Sequence, residues 1–229
     1  MKWIKNYFTL FEICLWGLSE LLIIISFFLF DRSSYLTLAA SCIGVTSLIF
    51  NAKGNPVGQV LMILFSLLYG VISFSFAYYG EMVTYLGMTL PMAVIALISW
   101  LRNPYQGNLA EVKVNTIRRT ERLLLYAATA VVTVIFWFIL RYFHTANLLP
   151  STLSVATSFI AAYLTFRRSP YFALAYAAND VVLIVLWIMA STVNIAYLSV
   201  VVCFVAFLFN DLYGFVNWRR MKQRQSENE

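Results

Sequence analysis

The chain has 229 residues, 62% hydrophobic and 11% charged, with a net charge of +6 and a mean hydropathy of +0.79. About a quarter of residues are charged in an ordinary soluble domain, so these proportions exclude one. The excess of Lys and Arg has no soluble surface to act through, which argues against nucleic-acid binding and for contact with an anionic membrane leaflet.

A bilayer core takes roughly 20 apolar residues per helix, and the apolar runs predict eight transmembrane helices. They lie near 10–30, 34–50, 57–79, 82–101, 122–143, 150–166, 171–190 and 194–218. No extramembrane domain has room to fold, so the chain is expected to be an all-α integral membrane protein that works inside its bundle. The first span follows Lys2 and Lys5 as a signal peptide would, but Glu12 and Glu20 interrupt it. With no small-x-small site before Asp31, it is expected to be a retained helix. In the third span the polar members are Gln59, Ser66, Ser73 and Ser75, with Gln59 close to one mouth. Pro91 sits in the middle of the fourth span, where a lost backbone hydrogen bond produces a kink; the kink is either static packing or a hinge.

The longest polar break, 103–121, divides the chain into one helix, three, one and three. The expected organisation is an N-terminal helix (1–31), a first three-helix unit (32–102), a loop and linker helix (103–149), a second unit (150–220) and a tail (221–229). Laying one unit on the other pairs Phe50 with Phe166, Tyr69 with Trp187, Tyr79 with Tyr197 and Trp100 with Trp218, at offsets of about 116 to 118 residues. Each unit has an odd number of spans and the fifth span inverts the chain between them. Both units then run the same way through the membrane, the parallel repeat of some transporters, with a site near the midplane between the halves.

Basic residues set the orientation. Lys2, Lys5, Lys53, Arg102, Lys113, Arg118, Arg119, Arg122, Arg167, Arg168, Arg219, Arg220, Lys222 and Arg224 fall on one side, against Arg32 and Arg141 on the other. Both termini are therefore expected in the cytoplasm. Tyr35, Tyr78, Tyr79, Trp100 and Trp218 at span ends suit interfacial anchors, and Cys14, Cys42 and Cys203, without C-x-x-C spacing, suit free packed thiols.

Ionisable and amide groups at membrane depth cost energy and usually face a cavity or a partner. Glu20, Asn179, Asp180, Asn210 and Asp211 are of this kind. Asn179 and Asn210 each lie about eight residues, on the order of 12 Å, from their cytoplasmic helix ends. Asn179 shares a helical stripe with Leu183 and Trp187, while Asn210, Tyr213 and Asn217 form another. Such a layer suits a flat, polar-edged aromatic ligand, and aromatic faces attract cations; the alternative is that the amides only join helices. Asp180 has no basic neighbour in the sequence pattern, so it is protonated, bonded to an amide, or offered to a cationic ligand. Glu20 serves packing, subunit contact or proton coupling.

The run Asn179-Asp180-Val-Val-Leu-Ile-Val-Leu-Trp187 and the run Asn210-Asp211-Leu-Tyr213-Gly214-Phe-Val-Asn217-Trp218-Arg219-Arg220 resemble the PnuC-type nicotinamide riboside transporters. So does the plan of one extra helix before a three-one-three repeat, similar to that of SWEET sugar transporters. The resemblance covers nearly the whole chain. It implies a carrier in the bacterial cytoplasmic membrane, working by facilitated diffusion and feeding NAD biosynthesis, with intracellular phosphorylation trapping the substrate. It also implies pocket roles for Asn179, Trp187, Asn210 and Tyr213, to which Asp180 and Gln59 are added, with Pro91 as gate or hinge. Many relatives carry Asn-x-Tyr-Gly near the end of the fourth span, where this chain has Pro91-Met-Ala-Val-Ile-Ala-Leu-Ile-Ser-Trp100. The first-half pocket and the vitamin therefore stay open, and thiamine, also a flat cationic heterocycle, is the alternative substrate.

No catalytic residue, cofactor or metal site is expected. His144 stands alone, and no Gly-x-Ser-x-Gly or His-Glu-x-x-His pattern occurs for an intramembrane enzyme. A purely structural membrane partner is the remaining alternative. The expected partners are a small-molecule substrate, the lipid bilayer and further copies of the chain in a homo-oligomer.

Overall fold

The computed structural model describes residues 7–75 and 79–228. Lys2, Lys5 and Tyr78, named above for topology and anchoring, lie outside them. Among the described residues eight helices are long and apolar enough to cross a membrane: α1 Leu10–Asp31, α2 Tyr35–Ala52, α3 Val57–Ser75, α4 Tyr79–Leu101, α5 Arg119–Tyr142, α6 Leu148–Phe166, α7 Tyr171–Ser191 and α8 Ile195–Glu227.

Local chemistry explains where these helices start and break. Thr9 caps α1 through a reciprocal pair: its hydroxyl accepts the Glu12 N–H at 3.2 Å, and Glu12 Oε2 accepts the Thr9 N–H at 2.7 Å. This capping box satisfies two donors that the first turn would otherwise leave open. Inside α4 the winding loosens to a π turn over Tyr85–Thr89, and regular helix resumes at Leu90. Pro91, two residues on, supplies no N–H and crowds the carbonyl of Gly87; the π turn absorbs that fault, and the Thr89 hydroxyl donates to Thr84 O at 3.3 Å.

All the polar connections rich in Lys and Arg lie at one end of the bundle, the basic face. There a short hairpin pairs β1, Pro104–Tyr105, with β2, Asn108–Val112. Gln106 and Gly107 at its tip have φ of 48° and 78°, the left-handed pair that a tight two-residue hairpin turn requires. The strap that follows bonds to both interhelical turns. Val112 N–H donates to Gly54 O and Asn115 N–H to Arg168 O, each at 3.0 Å. Gln225 near the end of α8 holds the strap from the other side, accepting from Val114 N–H at 2.8 Å and donating to Val112 O at 3.1 Å.

The α2–α3 and α6–α7 turns are built alike. Gly54 N–H donates to Asn51 O, Asn55 N–H to Phe50 O and Gly58 N–H to Asn55 O; Arg168, Ser169 and Phe172 repeat the pattern onto Thr165, Leu164 and Ser169. In this register Phe50 corresponds to Leu164, not to Phe166, which corrects the sequence pairing at that turn.

Trp100 and Trp218 also correct an expectation. They are 1% and 0% exposed, not interfacial anchors, and they lie in a core cluster with Phe172, Leu164, Leu125 and Met221 at the basic face. Burial of an indole requires a partner for its N–H, and each finds a backbone carbonyl: Trp100 donates to Thr165 O and Trp218 to Asn51 O, both at 2.8 Å. The flanking Ser99 hydroxyl and Asn217 amide bond the next carbonyls, Phe166 O at 2.9 Å and Ala52 O at 2.8 Å.

Candidate functional site

A narrow cavity of about 90 Å³ lies inside the bundle, walled chiefly by α4, α6, α7 and α8, with Phe65 of α3 at its side. It shares Glu81, Thr145, Ser151, Leu186 and Trp187 with a wider vestibule of about 960 Å³ between the loops of the face opposite the basic one. Small-molecule sites occupy roughly 300–1,000 Å³, so the inner cavity alone is too tight for a vitamin and the junction with the vestibule is where space becomes sufficient. Towards the basic face the way is blocked by the Trp100, Trp218 and Phe172 cluster, whose indole rings are 5.4 Å apart.

The polar lining is acidic. Asp180 of α7 and Asp211 of α8 are 3% and 5% exposed and both line the cavity. Asp180 Oδ2 has no hydrogen-bond partner. Glu81 of α4 stands at the mouth, on both the cavity and the vestibule. Among the described lining residues of the cavity there is no Lys, Arg or His.

Asn179 also lines the cavity; its Oδ1 accepts the hydroxyls of Thr157 at 2.9 Å and Ser158 at 3.0 Å, which fixes the amide against α6. With the oxygen committed, Nδ2 is the group left to meet a ligand acceptor. Trp187 borders cavity and vestibule, its ring 5.3 Å from that of Tyr197. Of the residues proposed from sequence, the structure thus brings Asn179, Asp180 and Trp187 together.

Asn210, Tyr213 and Gln59 do not line this cavity. Asn210 Nδ2 donates to Ser19 of α1 and to Ala206 O, both at 2.8 Å, so the amide joins helices. Tyr213 donates to Glu12 at 2.7 Å beside the Glu12–Lys53 ion pair of 3.1 Å at the basic face. Gln59 donates to Asn51 Oδ1 at 2.8 Å and ties α3 to α2. The helical stripe from Asn210 to Asn217 is real, but α8 turns it towards α1 and α2. Pro91 faces outward from the bundle just past the π turn. Glu20 accepts from Trp16 at 3.1 Å and Thr46 at 2.9 Å, joining α1 to α2.

Sequence reasoning missed the α4 contribution: Glu81, Thr84, Tyr85 and Thr89. Glu81 falls just outside the span expected from sequence, 82–101, whereas the helix begins at Tyr79. Tyr176 also lines the cavity, and its spacing of one helical turn before Asp180 was a readable signal. Asp211, one of the polar groups at membrane depth, lines the cavity as well.

At the basic face Glu121 pairs with Arg167 and accepts from Tyr163 at 3.1 Å, joining α5 to α6. The Glu121 carboxylate holds the Arg167 guanidinium above its ordinary range, whereas burial pushes neighbouring Arg168 down, with Arg167 adding to the effect.

A family model described as nicotinamide mononucleotide transporter matches residues 34–220. A nicotinamide riboside transporter PnuC from Neisseria mucosa is 28% identical over 205 residues, covering 87% of this chain and 77% of that protein. The crystal structure of the vitamin B3 transporter PnuC superposes with a TM-score of 0.81 at 24% identity, over 95% of this chain and 94% of that one.

Proposed function

The chain belongs to the nicotinamide mononucleotide transporter family, and from that membership we propose that it takes up nicotinamide riboside by facilitated diffusion. The basic face is cytoplasmic in this reading, following the rule that Lys and Arg stay inside. The cavity then opens outward and is shut towards the cytoplasm, and phosphorylation inside the cell keeps the substrate from returning.

The observation that carries the reading is the character of the cavity: three carboxyl groups, aromatic walls and one oriented amide, with no cationic side chain among the described lining residues. Nicotinamide riboside is a flat pyridinium cation. Its charge suits Asp180, Asp211 and Glu81, and its ring suits Trp187 and Tyr85 through stacking and cation attraction. Its carboxamide oxygen suits the Nδ2 of Asn179, and its ribose hydroxyls suit Thr84, Thr89 and Ser158. The name of the Neisseria mucosa relative supports the same substrate.

The test is uptake of labelled nicotinamide riboside into liposomes at equal pH on both sides, without ATP. Entry is expected to stop at equal concentrations. No uptake above protein-free liposomes, with thiamine entering instead, would transfer the reading to a thiamine carrier.

A further inference from the structure

Beside the cavity lies a third hollow, a side chamber of about 200 Å³ at the vestibule ends of α1, α2, α3, α7 and α8. Glu81 and Trp187 border the chamber, the cavity and the vestibule alike, so the three spaces meet at these two side chains.

Hydroxyls crowd the chamber wall, and most are committed. Ser33 donates to Asp31 at 2.5 Å, Ser34 and Thr37 share a hydrogen bond of 2.5 Å, and Ser199 donates to Ala196 O at 2.8 Å. Ser73 of α3 is the exception: it is 2% exposed, and its Oγ has no hydrogen-bond partner. On the same helix Ser66 and Ser75 return their hydroxyls to Met62 O at 2.8 Å and Val71 O at 2.9 Å, the local bond open to any helical serine. Ser73 forgoes it. A buried hydroxyl without a partner is costly and calls for an explanation. Glu81 likewise makes no hydrogen bond or ion pair with any described residue.

We propose that the side chamber is a subsite for a vicinal diol, holding the ribose of the incoming nucleoside through Ser73 and Glu81 while the pyridinium lies at the junction against Trp187. A carboxylate accepts from two O–H groups, and a serine hydroxyl both donates and accepts; together they complement adjacent sugar hydroxyls. At about 200 Å³ the chamber falls below the roughly 300–1,000 Å³ of a whole-ligand site, so it suits one fragment of the nucleoside. The flat ring has its own place at Trp187 and Asn179, which leaves the sugar for the chamber. Tyr69 and Tyr197 in the chamber wall offer apolar faces to the sugar C–H groups. As the ligand moves inward, Thr84, Thr89 and Ser158 take over its hydroxyls.

The inference rests on the reading of the substrate as a pyridinium nucleoside, and the experiment separates the two. Calorimetry on the full chain compares nicotinamide riboside with 1-methylnicotinamide, which keeps the pyridinium and carboxamide and carries a methyl group in place of the sugar. Ser73→Ala is expected to weaken nicotinamide riboside by about three- to tenfold and to leave 1-methylnicotinamide unchanged. Its thermal midpoint should not fall, since the hydroxyl removed has no partner within the protein. Glu81→Gln should weaken both ligands, because its charge serves the ring as well. An unchanged affinity of Ser73→Ala for nicotinamide riboside, or an equal loss for both ligands, overturns the subsite and leaves the substrate reading standing. Wild-type protein that binds neither ligand overturns both.

A second measurement does not depend on 1-methylnicotinamide. Ser73→Cys is treated with a small cationic methanethiosulfonate, and its labelling is read above the background of the natural cysteines. Nicotinamide riboside is expected to slow the reaction at least fivefold at saturation. Equal rates with and without it, or a thiol that never reacts, overturn the proposal.

Discussion

Trp100 and Trp218 are reciprocal: each donates its indole N–H, at 2.8 Å, to the penultimate carbonyl of the opening helix of the other three-helix unit. The residue before each tryptophan, Ser99 or Asn217, bonds the last carbonyl of that same helix. Helix ends leave four carbonyls without intrahelical partners; here Asn217 and Ser99 supply Ala52 O and Phe166 O, and the indoles add a second bond to Asn51 O and Thr165 O, which also accept the Gly54 and Arg168 N–H. The arrangement fastens each unit to the other at the point where the cavity is shut.

Trp100→Phe and Trp218→Phe are therefore expected to act alike. Each removes one buried hydrogen bond to a carbonyl that keeps its turn partner, a loss of about 0.5–1.5 kcal/mol, and each should lower the thermal midpoint of the purified protein while leaving ligand affinity within about twofold. Thermal unfolding alongside calorimetric binding checks this. A large effect of one substitution with none from the other would show that the reciprocity carries no energy.

Substitutions in the cavity should divide differently. Trp187→Ala and Asn179→Ala remove a stacking face and an oriented amide, each at about 1–3 kcal/mol or roughly 5- to 150-fold in affinity for nicotinamide riboside, with Trp187→Phe retaining part. Asn210→Ala cuts the bond to Ser19 and should lower stability with the dissociation constant unchanged. Titration of the folded variants decides, and a wild-type curve for Trp187→Ala would remove it from the site.

Pro91→Ala restores the missing N–H and lets α4 wind regularly, at the expense of the π turn that turns Tyr85 and Thr89 into the cavity. If the π turn is the flexible element of the cycle, the substitution slows uptake at saturating substrate by more than it weakens binding. Equal falls in both would make the turn a matter of pocket shape alone.

Orientation is checked by labelling. Cysteine introduced at the exposed positions Asn108 or Ser226 on the basic face should be protected from an impermeant thiol reagent in intact cells, and cysteine at Ser33 or Asn194 on the opposite face should react. The reverse pattern would turn the cavity towards the cytoplasm.

The eight spans were legible because bilayer thickness imposes a length and hydropathy that a sequence displays directly, and Asn179, Asp180 and Trp187 because a polar group inside such a span is conspicuous. Which way a stripe faces was not legible. Asn210 and Tyr213 share a helical face as expected, yet α8 packs that face on α1 and α2, and helical periodicity carries no information about which neighbour a face meets. Glu81 was hidden by a boundary drawn three residues late. The aromatic ends of the units misled for a related reason: a tryptophan at a span terminus looks like an anchor in lipid unless the carbonyl waiting for its N–H is visible, and Thr165 and Asn51 lie far away along the chain.

The likeness between the two units is uneven, and this has a consequence for how such a carrier can change. Around Trp100 and Trp218 the halves answer each other bond for bond, whereas in the cavity α7 brings an amide and a carboxyl, α8 a carboxyl, and α4 a glutamate and a loosened turn. The matching part and the cavity-lining part thus occupy different places in the bundle. A descendant could alter Glu81, Tyr85 or Asn179 and acquire a different vitamin without disturbing the paired indoles, while a change at either indole would be felt whatever the cargo.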